Sequence, residues 1–441
     1  MVADAASRGK FGSNVGFILA AAGSAIGLGN IWGFPYMAAQ SGGGAFVLLY
    51  LIAVGLIGVP VLLAELSIGR ATQCSPVGAF ARLAPRSAWP LVGALGVATG
   101  FAILAFYSVV AGWTVGYLFK ALTFQFESGM THEQSQAIFQ GLSGSAGQSI
   151  LWTAVFMVLT ILVVRGGIQG GIERASKILM PVFFLLMLAL VIRAVTLSNA
   201  SGGIRYLFHF DLSAITPTIV LNALAQALFS LSLGMGAMIT YGSYLSHEEN
   251  LVGAGITVAL ADTSIALMAG LMIFPAIFHA GAQPAGDEGL VFVVLPTIFD
   301  KLPAGNLFAI AFYALLLIAA LTSSISLLEV VVSYFVDERQ WSREKSTWLL
   351  GIACFLLAVP CAASDAFMGI VIQIFYIYAL AIGALLICVF TGWRWGTASA
   401  VGELRRGGGL PGLGGWAVLI RWVCPVVAAL IVGTRIWGLV S

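Results

Sequence analysis

Residues 22–30 read Ala-Gly-Ser-Ala-Ile-Gly-Leu-Gly-Asn, in the middle of a stretch that carries no charged residue from Phe11 to Ala64. A continuous membrane helix has little use for three glycines and an asparagine at its centre. Glycine costs about 1 kcal/mol relative to alanine inside a helix. Backbone freed at membrane depth must be buried in protein or line a polar cavity. The stretch therefore predicts a first span broken at mid-membrane, with carbonyls and amides available to hold a ligand. Ser230-Leu-Ser-Leu-Gly-Met-Gly236 repeats the interruption two hundred residues later. Two Gly-interrupted spans in corresponding positions of two halves point to the substrate and ion site of a secondary transporter.

The surrounding chain supports a membrane fold. Of its 441 residues 60% are hydrophobic and 9% charged, against about 25% charged in a soluble domain. Apolar runs long enough to cross a bilayer of about 30 Å predict eleven spans, near 14–38, 43–69, 88–120, 148–165, 172–196, 216–244, 250–279, 306–336, 346–362, 367–392 and 415–438. The lysines and arginines alternate with them. With the N-terminus inside, the inner segments hold Arg8, Lys10, Arg70, Arg82, Arg86, Arg165, Arg174, Lys177, Arg339, Arg343, Lys345, Arg394, Arg405, Arg406 and Arg421, and the outer ones only Lys120, Arg193, Arg205, Lys301 and Arg435. That bias predicts an inner N-terminus and an outer C-terminus in a multi-pass membrane protein. The basic residues follow topology and form no stripe for nucleic acid. Met1–Lys10 has no cleavable signal pattern. An amphipathic piece at Asp287–Asp300 is expected to cap the outer side.

Residues 1–13 are expected to be a cytoplasmic N-terminus. Spans 1–5 (14–196) and 6–10 (216–392) are expected to be two five-helix repeats, with span 11 (415–438) appended through the Gly-rich link Arg405–Gly415. An odd number of spans per repeat makes the second run in the opposite sense, so the repeats are inverted.

Within the broken segments, Gly23, Ala25 and Ile26 offer carbonyls, Asn30 a side-chain oxygen, and Gly27 and Gly29 amides that approach a ligand closely. Packing through small residues alone would need neither Asn30 nor the following Trp32-Gly-Phe-Pro35. Gln226, Ser230 and Ser232 make a polar strip in span 6, flanked by Phe229 and Met235. Asp262 lies inside span 7, where a carboxylate is costly and marks a functional site; a cation is its expected partner. In span 8 the Ala319 carbonyl and the hydroxyls of Thr322 and Ser323 share one helix face, which suits a hard cation. Glu65 is expected to satisfy freed amides of the broken helices; Glu329 has no evident partner. Tyr107 could place a hydroxyl over a carboxylate. Gly171 and Pro181 either lower the cost of unwinding the start of span 5 and open a water path, or are ordinary helix punctuation. The five cysteines and four histidines form no framework or metal-ligand spacing. A channel would need a pore lined with polar rings, and an intramembrane enzyme a nucleophile with a base or a metal cluster. Neither pattern is present.

Gly23-Ser-Ala-Ile-Gly-Leu-Gly-Asn-Ile-Trp-Gly-Phe-Pro-Tyr36, Gly42-Gly-Gly-Ala-Phe46, Phe229-Ser-Leu-Ser-Leu-Gly-Met-Gly236 and Leu321-Thr-Ser-Ser324 together resemble the neurotransmitter:sodium symporters, in particular their eleven-span bacterial amino-acid transporters. The resemblance runs from about Arg8 to Trp393. It implies an all-α membrane protein with a LeuT-like 5+5 inverted repeat, spans 1 and 6 broken, and one extra C-terminal helix. It implies import of a neutral, apolar or aromatic amino acid coupled to two sodium ions. The first sodium would meet Ala25, Asn30, Ser230 and Asp262, completed by Ser323 or the substrate carboxylate. The second would meet Gly23, Ile26, Ala319, Thr322 and Ser323. The substrate would lie among Ala25, Gly29, Ile103, Tyr107, Phe229, Ser232, Met235, Ser323 and Leu327. Arg8 with Asp337 would form an inner gate, and Gly171 to Pro181 a helix-unwinding motif. Asp262 supplies the negative charge that chloride supplies in other members, so chloride is not required. No obligate protein partner is implied.

Three positions depart from the family pattern: Gly33 replaces an outer-gate Arg, Val371-Ile-Gln-Ile374 lacks the outer-gate Asp, and Phe11 replaces an inner-gate Trp. Outer closure is then expected to rest on Tyr107 and Phe229, helped by Gln373 or water. The missing Arg leaves open a different small amine or organic acid as substrate.

Overall fold

The structure, a computed structural model, describes residues 9–126, 129–281, 289–302, 304–408 and 412–440. Among these, nine helices are long and apolar enough to cross a bilayer: Gly44–Thr72 (span 2), Pro90–Leu122 (span 3), Ala146–Arg165 (span 4), Ile168–Val195 (span 5), Leu251–His279 (span 7), Gly305–Arg339 (span 8), Arg343–Ala363 (span 9), Asp365–Arg394 (span 10) and Leu413–Arg435 (span 11). The two remaining spans are the interrupted ones. Asn14–Ala25 and Gly29–Gln40 make span 1 and meet at 50°. Pro217–Ser230 and Ala237–Gly242 make span 6.

Local chemistry sets these breaks. Ser13 starts span 1 by accepting a hydrogen bond from the Gly16 amide, relieving one of the unpaired amides that every helix start carries. The helix stops at Ala25 because Ile26 turns to extended backbone, with φ −73° and ψ 102°. In span 6, Ser232, Gly234 and Gly236 all have positive φ, at 55°, 83° and 77°. That conformation ends a right-handed helix and favours glycine at two of the three positions. The freed Gly234 amide donates to the buried Glu65 carboxylate at 2.7 Å, the role expected for Glu65. Gly234 also lies directly against the Leu380 carbonyl of span 10, where a side chain would collide with backbone.

Span 8 is the central post. Its most apolar window is 83% buried, whereas that of span 11 is 28% buried, so span 11 is peripheral. Span 8 packs against spans 1, 3, 4, 5 and 9, span 2 packs against the second half of span 6 and against span 7, and span 11 rests on span 10. Trp416 anchors span 11 through an indole bond to the Pro60 carbonyl at 3.1 Å. The expected outer cap begins at 287, outside the described residues; its described part is a short apolar helix, Leu290–Phe299.

Candidate substrate and ion site

The broken ends of spans 1 and 6 face each other across a small cavity of about 30 Å³ against spans 3 and 8. Every residue expected around a substrate lines it: Ala25, Gly29, Ile103, Tyr107, Phe229, Ser232, Met235, Ser323 and Leu327. Ile103, Phe229, Met235 and Leu327 give apolar walls. The Leu28 amide donates to the Tyr107 hydroxyl at 3.3 Å, and the Ser232 hydroxyl donates to the Ser24 carbonyl at 2.9 Å. Gly29 has no room for a side chain, since a β-carbon there would sit 2.6 Å from the Phe229 ring. The backbone of span 1 therefore reaches the cavity itself.

Above this cavity lies a vestibule of about 540 Å³. Leu28, Gly29, Tyr107 and Phe229 line both spaces and form the partition. Tyr376 braces the partition edge-on to Phe229, with ring centroids 4.5 Å apart. Gln373 does not help close this side. Its amide donates to Tyr378 at 3.0 Å, and Tyr378 donates to the Arg435 carbonyl of span 11. The wide turn over Ile372–Ala379 shifts the register so that Tyr376, rather than Gln373, reaches the vestibule. No basic side chain lines the vestibule among the described residues; Asp365 is its acid. Next to Gly33 the nearest group is the Gln226 amide, 3.7 Å from where a β-carbon would lie. That amide donates to the Gly29 carbonyl at 2.9 Å, so Gln226 ties span 6 to span 1 rather than joining the ion cluster.

Asp262 is fully buried and accepts only from neutral donors among the described residues. Asn30 Nδ2 donates to Oδ1 at 2.7 Å, Ser230 Oγ to Oδ2 at 2.8 Å and Tyr50 to Oδ2 at 3.4 Å. A buried carboxylate without a basic partner carries an uncompensated charge, and the oxygens around it suit a hard cation. Ala25, at the end of the first half-helix, and Ser230 both line the cavity.

The second candidate cluster lies one turn deeper in span 1. Ser323 Oγ stands 3.5, 3.2 and 3.4 Å from the carbonyls of Gly23, Ser24 and Ile26. One hydroxyl has one proton for three acceptors, so the carbonyl cluster has surplus acceptor capacity. Thr322 Oγ1 lies 3.0 Å from the Ala319 carbonyl, and its β-carbon is 3.1 Å from the β-position of Gly23. Ser323 therefore meets Gly23 and Ile26 of span 1, and the Thr322 side chain packs on Gly23.

Toward the N-terminal face the site is plugged. Phe11 sits edge-on to Phe17, Tyr241 and Tyr244, with centroids 5.5, 5.8 and 6.3 Å away. Arg8 lies outside the described residues. Asp337 accepts from the Ser75 amide at 2.7 Å. Gly171 falls in a wide turn, Ile168–Glu173, and Pro181 inside the helix Arg174–Val195. Between them stands a residue with no sequence signal of its own. Glu173 accepts from the Gly12 amide at 2.6 Å and the Ser13 hydroxyl at 2.9 Å, pinning the chain entering span 1 to span 5. Glu329 finds two partners, the Tyr244 hydroxyl at 2.6 Å and the Arg343 guanidinium.

A family model described as the sodium:neurotransmitter symporter family matches residues 8–137 and 131–439. The chain belongs to that family. This symporter is 39% identical over 445 residues to the sodium-dependent transporter YhdH of Bacillus subtilis, covering 98% of each chain. It is 34% identical over 409 residues to the sodium-dependent transporter MJ1319 of Methanocaldococcus jannaschii, covering 88% of this chain and 82% of that protein. The crystal structure of MhsT in complex with L-phenylalanine superposes with a TM-score of 0.87 at 43% identity, covering 96% of this chain and 99% of that one. The symporter is therefore a multi-pass membrane transporter that uses sodium and takes a small-molecule substrate, and its fold is that of MhsT. Its relatives are transporters rather than enzymes.

Proposed function

We propose that this symporter imports a neutral, apolar or aromatic α-amino acid together with two sodium ions, and needs no chloride. The observation that carries the reading is the cavity between the broken spans. Its lining combines apolar side chains with the span 1 backbone, Tyr107 and Ser230, and behind Ser230 stands the buried Asp262 carboxylate, which has no basic partner among the described residues. An apolar side chain fits against Ile103, Phe229, Met235 and Leu327. The α-carboxylate faces the Gly29 amide, Tyr107 and a sodium held by Ala25, Asn30, Ser230 and Asp262, with Ser323 at the cavity wall. Presenting the Asn30 oxygen to that cation requires the amide to turn and give up the bond its oxygen accepts from the Gly27 amide at 3.0 Å. The second sodium takes Gly23, Ile26, Ala319, Thr322 and Ser323. Two cations in one low-dielectric site need negative charge nearby. Asp262 supplies it within the protein, and chloride becomes superfluous.

Alternating access follows from the same parts. The N-terminal side, taken as cytoplasmic from the arginine and lysine bias of a bacterial inner-membrane protein, is closed by Phe11 and by Glu173 on Gly12 and Ser13. Arg8 with Asp337 is the proposed ionic part of this closure, and unwinding between Gly171 and Pro181 opens it. The outer side closes by the Tyr107–Phe229 partition without an ion pair. An exposed pair is worth only about 0–1 kcal/mol, so its loss leaves occlusion intact.

The test is thermal stabilisation of the detergent-solubilised symporter by a panel of amino acids with sodium or potassium. Leucine, phenylalanine, tyrosine or tryptophan should raise the melting temperature only with sodium, and with gluconate as well as with chloride. Stabilisation only by lysine or glutamate, or by an amine without a carboxylate, would overturn the substrate assignment.

A further inference from the structure

Spans 10 and 11 carry a mirrored pair of short motifs, Trp393-Arg394 and Arg421-Trp422. Each lies in a wide helical turn, Phe390–Arg394 in span 10 and Leu419–Val423 in span 11, and the two turns pack on each other. Such turns insert a residue and re-aim the side chains after it. In span 10 the inserted turn points Phe390 inward, edge-on to Phe80 and Trp89 at 4.7 and 5.0 Å. Trp393 is left 42% exposed. In span 11, Ile420 and Cys424 face the bundle and Trp422 is 57% exposed. Gly392 lets the helices close up, since a β-carbon there would lie 3.1 Å from the Arg421 α-carbon. The Trp393 and Trp422 rings meet perpendicularly at 5.5 Å, and the Arg421 guanidinium lies 5.4 Å from the Trp422 ring.

The charges make this more than an aromatic belt. Arg421 stands two turns inside the span Leu413–Arg435 and is exposed on its outer surface. Val418, Trp422, Val426 and Leu430 form the exposed apolar ridge beside it, spaced four apart on one helix face. An arginine facing hydrocarbon costs about 2.5–3.5 kcal/mol unless something compensates it. Arg70, Arg165, Arg343 and Arg406 each have a carboxylate partner. Arg394 and Arg421, like the other described arginines, have none among the described residues. A bidentate guanidinium matches a phosphate oxygen pair, and tryptophans beside it suit the level where headgroups meet acyl chains.

We propose that this four-residue patch binds the phosphodiester of an anionic phospholipid, with Arg394 and Arg421 on the phosphate and Trp393 and Trp422 against the glycerol and upper acyl chains. Two uncompensated cations select a headgroup of net negative charge over a zwitterionic one, whose own ammonium competes for the phosphate. The lipid would clamp the peripheral span 11 to span 10.

The experiment uses the full-length symporter, delipidated in detergent and titrated with phosphatidylglycerol, phosphatidylcholine or inorganic phosphate, with lipid adducts counted by native mass spectrometry. The wild type should retain phosphatidylglycerol in preference to phosphatidylcholine. The double variant Arg394→Gln, Arg421→Gln should bind it roughly thirtyfold more weakly, in line with the usual weight of two basic residues at an anionic surface. Arg405→Gln, on the link before span 11, should change nothing. Equal retention of the two lipids by the wild type would overturn the assignment whatever the variants do. So would unchanged phosphatidylglycerol binding in the double variant, or equally tight binding of inorganic phosphate, which would show that no lipid is recognised.

Discussion

Replacing Asp262 with asparagine removes one charge from the first proposed sodium position while keeping an oxygen in place. Asp262 is fully buried and hydrogen-bonded by Asn30, Ser230 and Tyr50 at 2.7, 2.8 and 3.4 Å, so the variant keeps its neighbours and its volume. A unit charge about 4 Å away is worth about 4 kcal/mol at an effective dielectric of 20. Part of that is returned, because the neutral amide no longer pays for desolvation. A net loss near 2.8 kcal/mol corresponds to about a hundredfold weaker sodium binding, at about 1.4 kcal/mol per decade. The assay is the sodium concentration that half-saturates substrate binding, measured in chloride and in gluconate. The variant should shift this midpoint upward by about a hundredfold in gluconate, and chloride should recover part of the shift by restoring a negative charge. A midpoint unchanged within twofold, in a variant that melts like the wild type, would refute the assignment of Asp262 to sodium.

Three further outcomes follow from the same geometry. Gly29→Ala puts a β-carbon 2.6 Å from the Phe229 ring and should weaken substrate binding about tenfold, as overpacking does, with a smaller effect on sodium; unaltered substrate affinity would contradict the tight partition. Gly33→Arg points into a vestibule of about 540 Å³ with nothing nearer than the Gln226 amide at 3.7 Å, and apparent affinity in equilibrium binding should stay within a few-fold, whereas abolished binding would indicate a larger substrate or one without an ordinary carboxylate. Thr322→Val removes a hydroxyl from the second cluster, and the Hill slope for sodium should fall from about 2 to about 1, since the slope cannot exceed the number of sites; a slope that stays near its wild-type value would remove Thr322 from sodium binding.

The breaks in spans 1 and 6 were legible because they put glycine and polar residues where a membrane helix tolerates neither. Asp262 was legible for the same reason, and Thr322 and Ser323 because they share a face with the Ala319 carbonyl. The apolar pocket walls are ordinary core residues in sequence; they became legible through the family pattern of the broken helices. Hidden from the sequence were residues whose role depends on which helices meet. Tyr50 reaches Asp262 from span 2, across 212 positions of chain. Glu173 takes its role from the arrival of Gly12 and Ser13 at span 5, and Glu329 from Tyr244 and Arg343. Gln373 was misplaced for a different reason. An inserted turn over Ile372–Ala379 shifts the helical register, and no composition rule marks where one helix takes such a turn. The same device, twice over, creates the exposed Trp–Arg pair of spans 10 and 11.

The central claim is that a sodium gradient drives a neutral amino acid into the cell through the cavity between the broken spans. Its most direct measurement is uptake of labelled leucine, phenylalanine or tryptophan into proteoliposomes loaded with potassium and diluted into sodium gluconate. At least one of these amino acids should accumulate above its external concentration, and the accumulation should collapse when a sodium ionophore dissipates the gradient. Equal uptake with potassium outside, or accumulation that requires chloride or is confined to charged amino acids, would contradict the account.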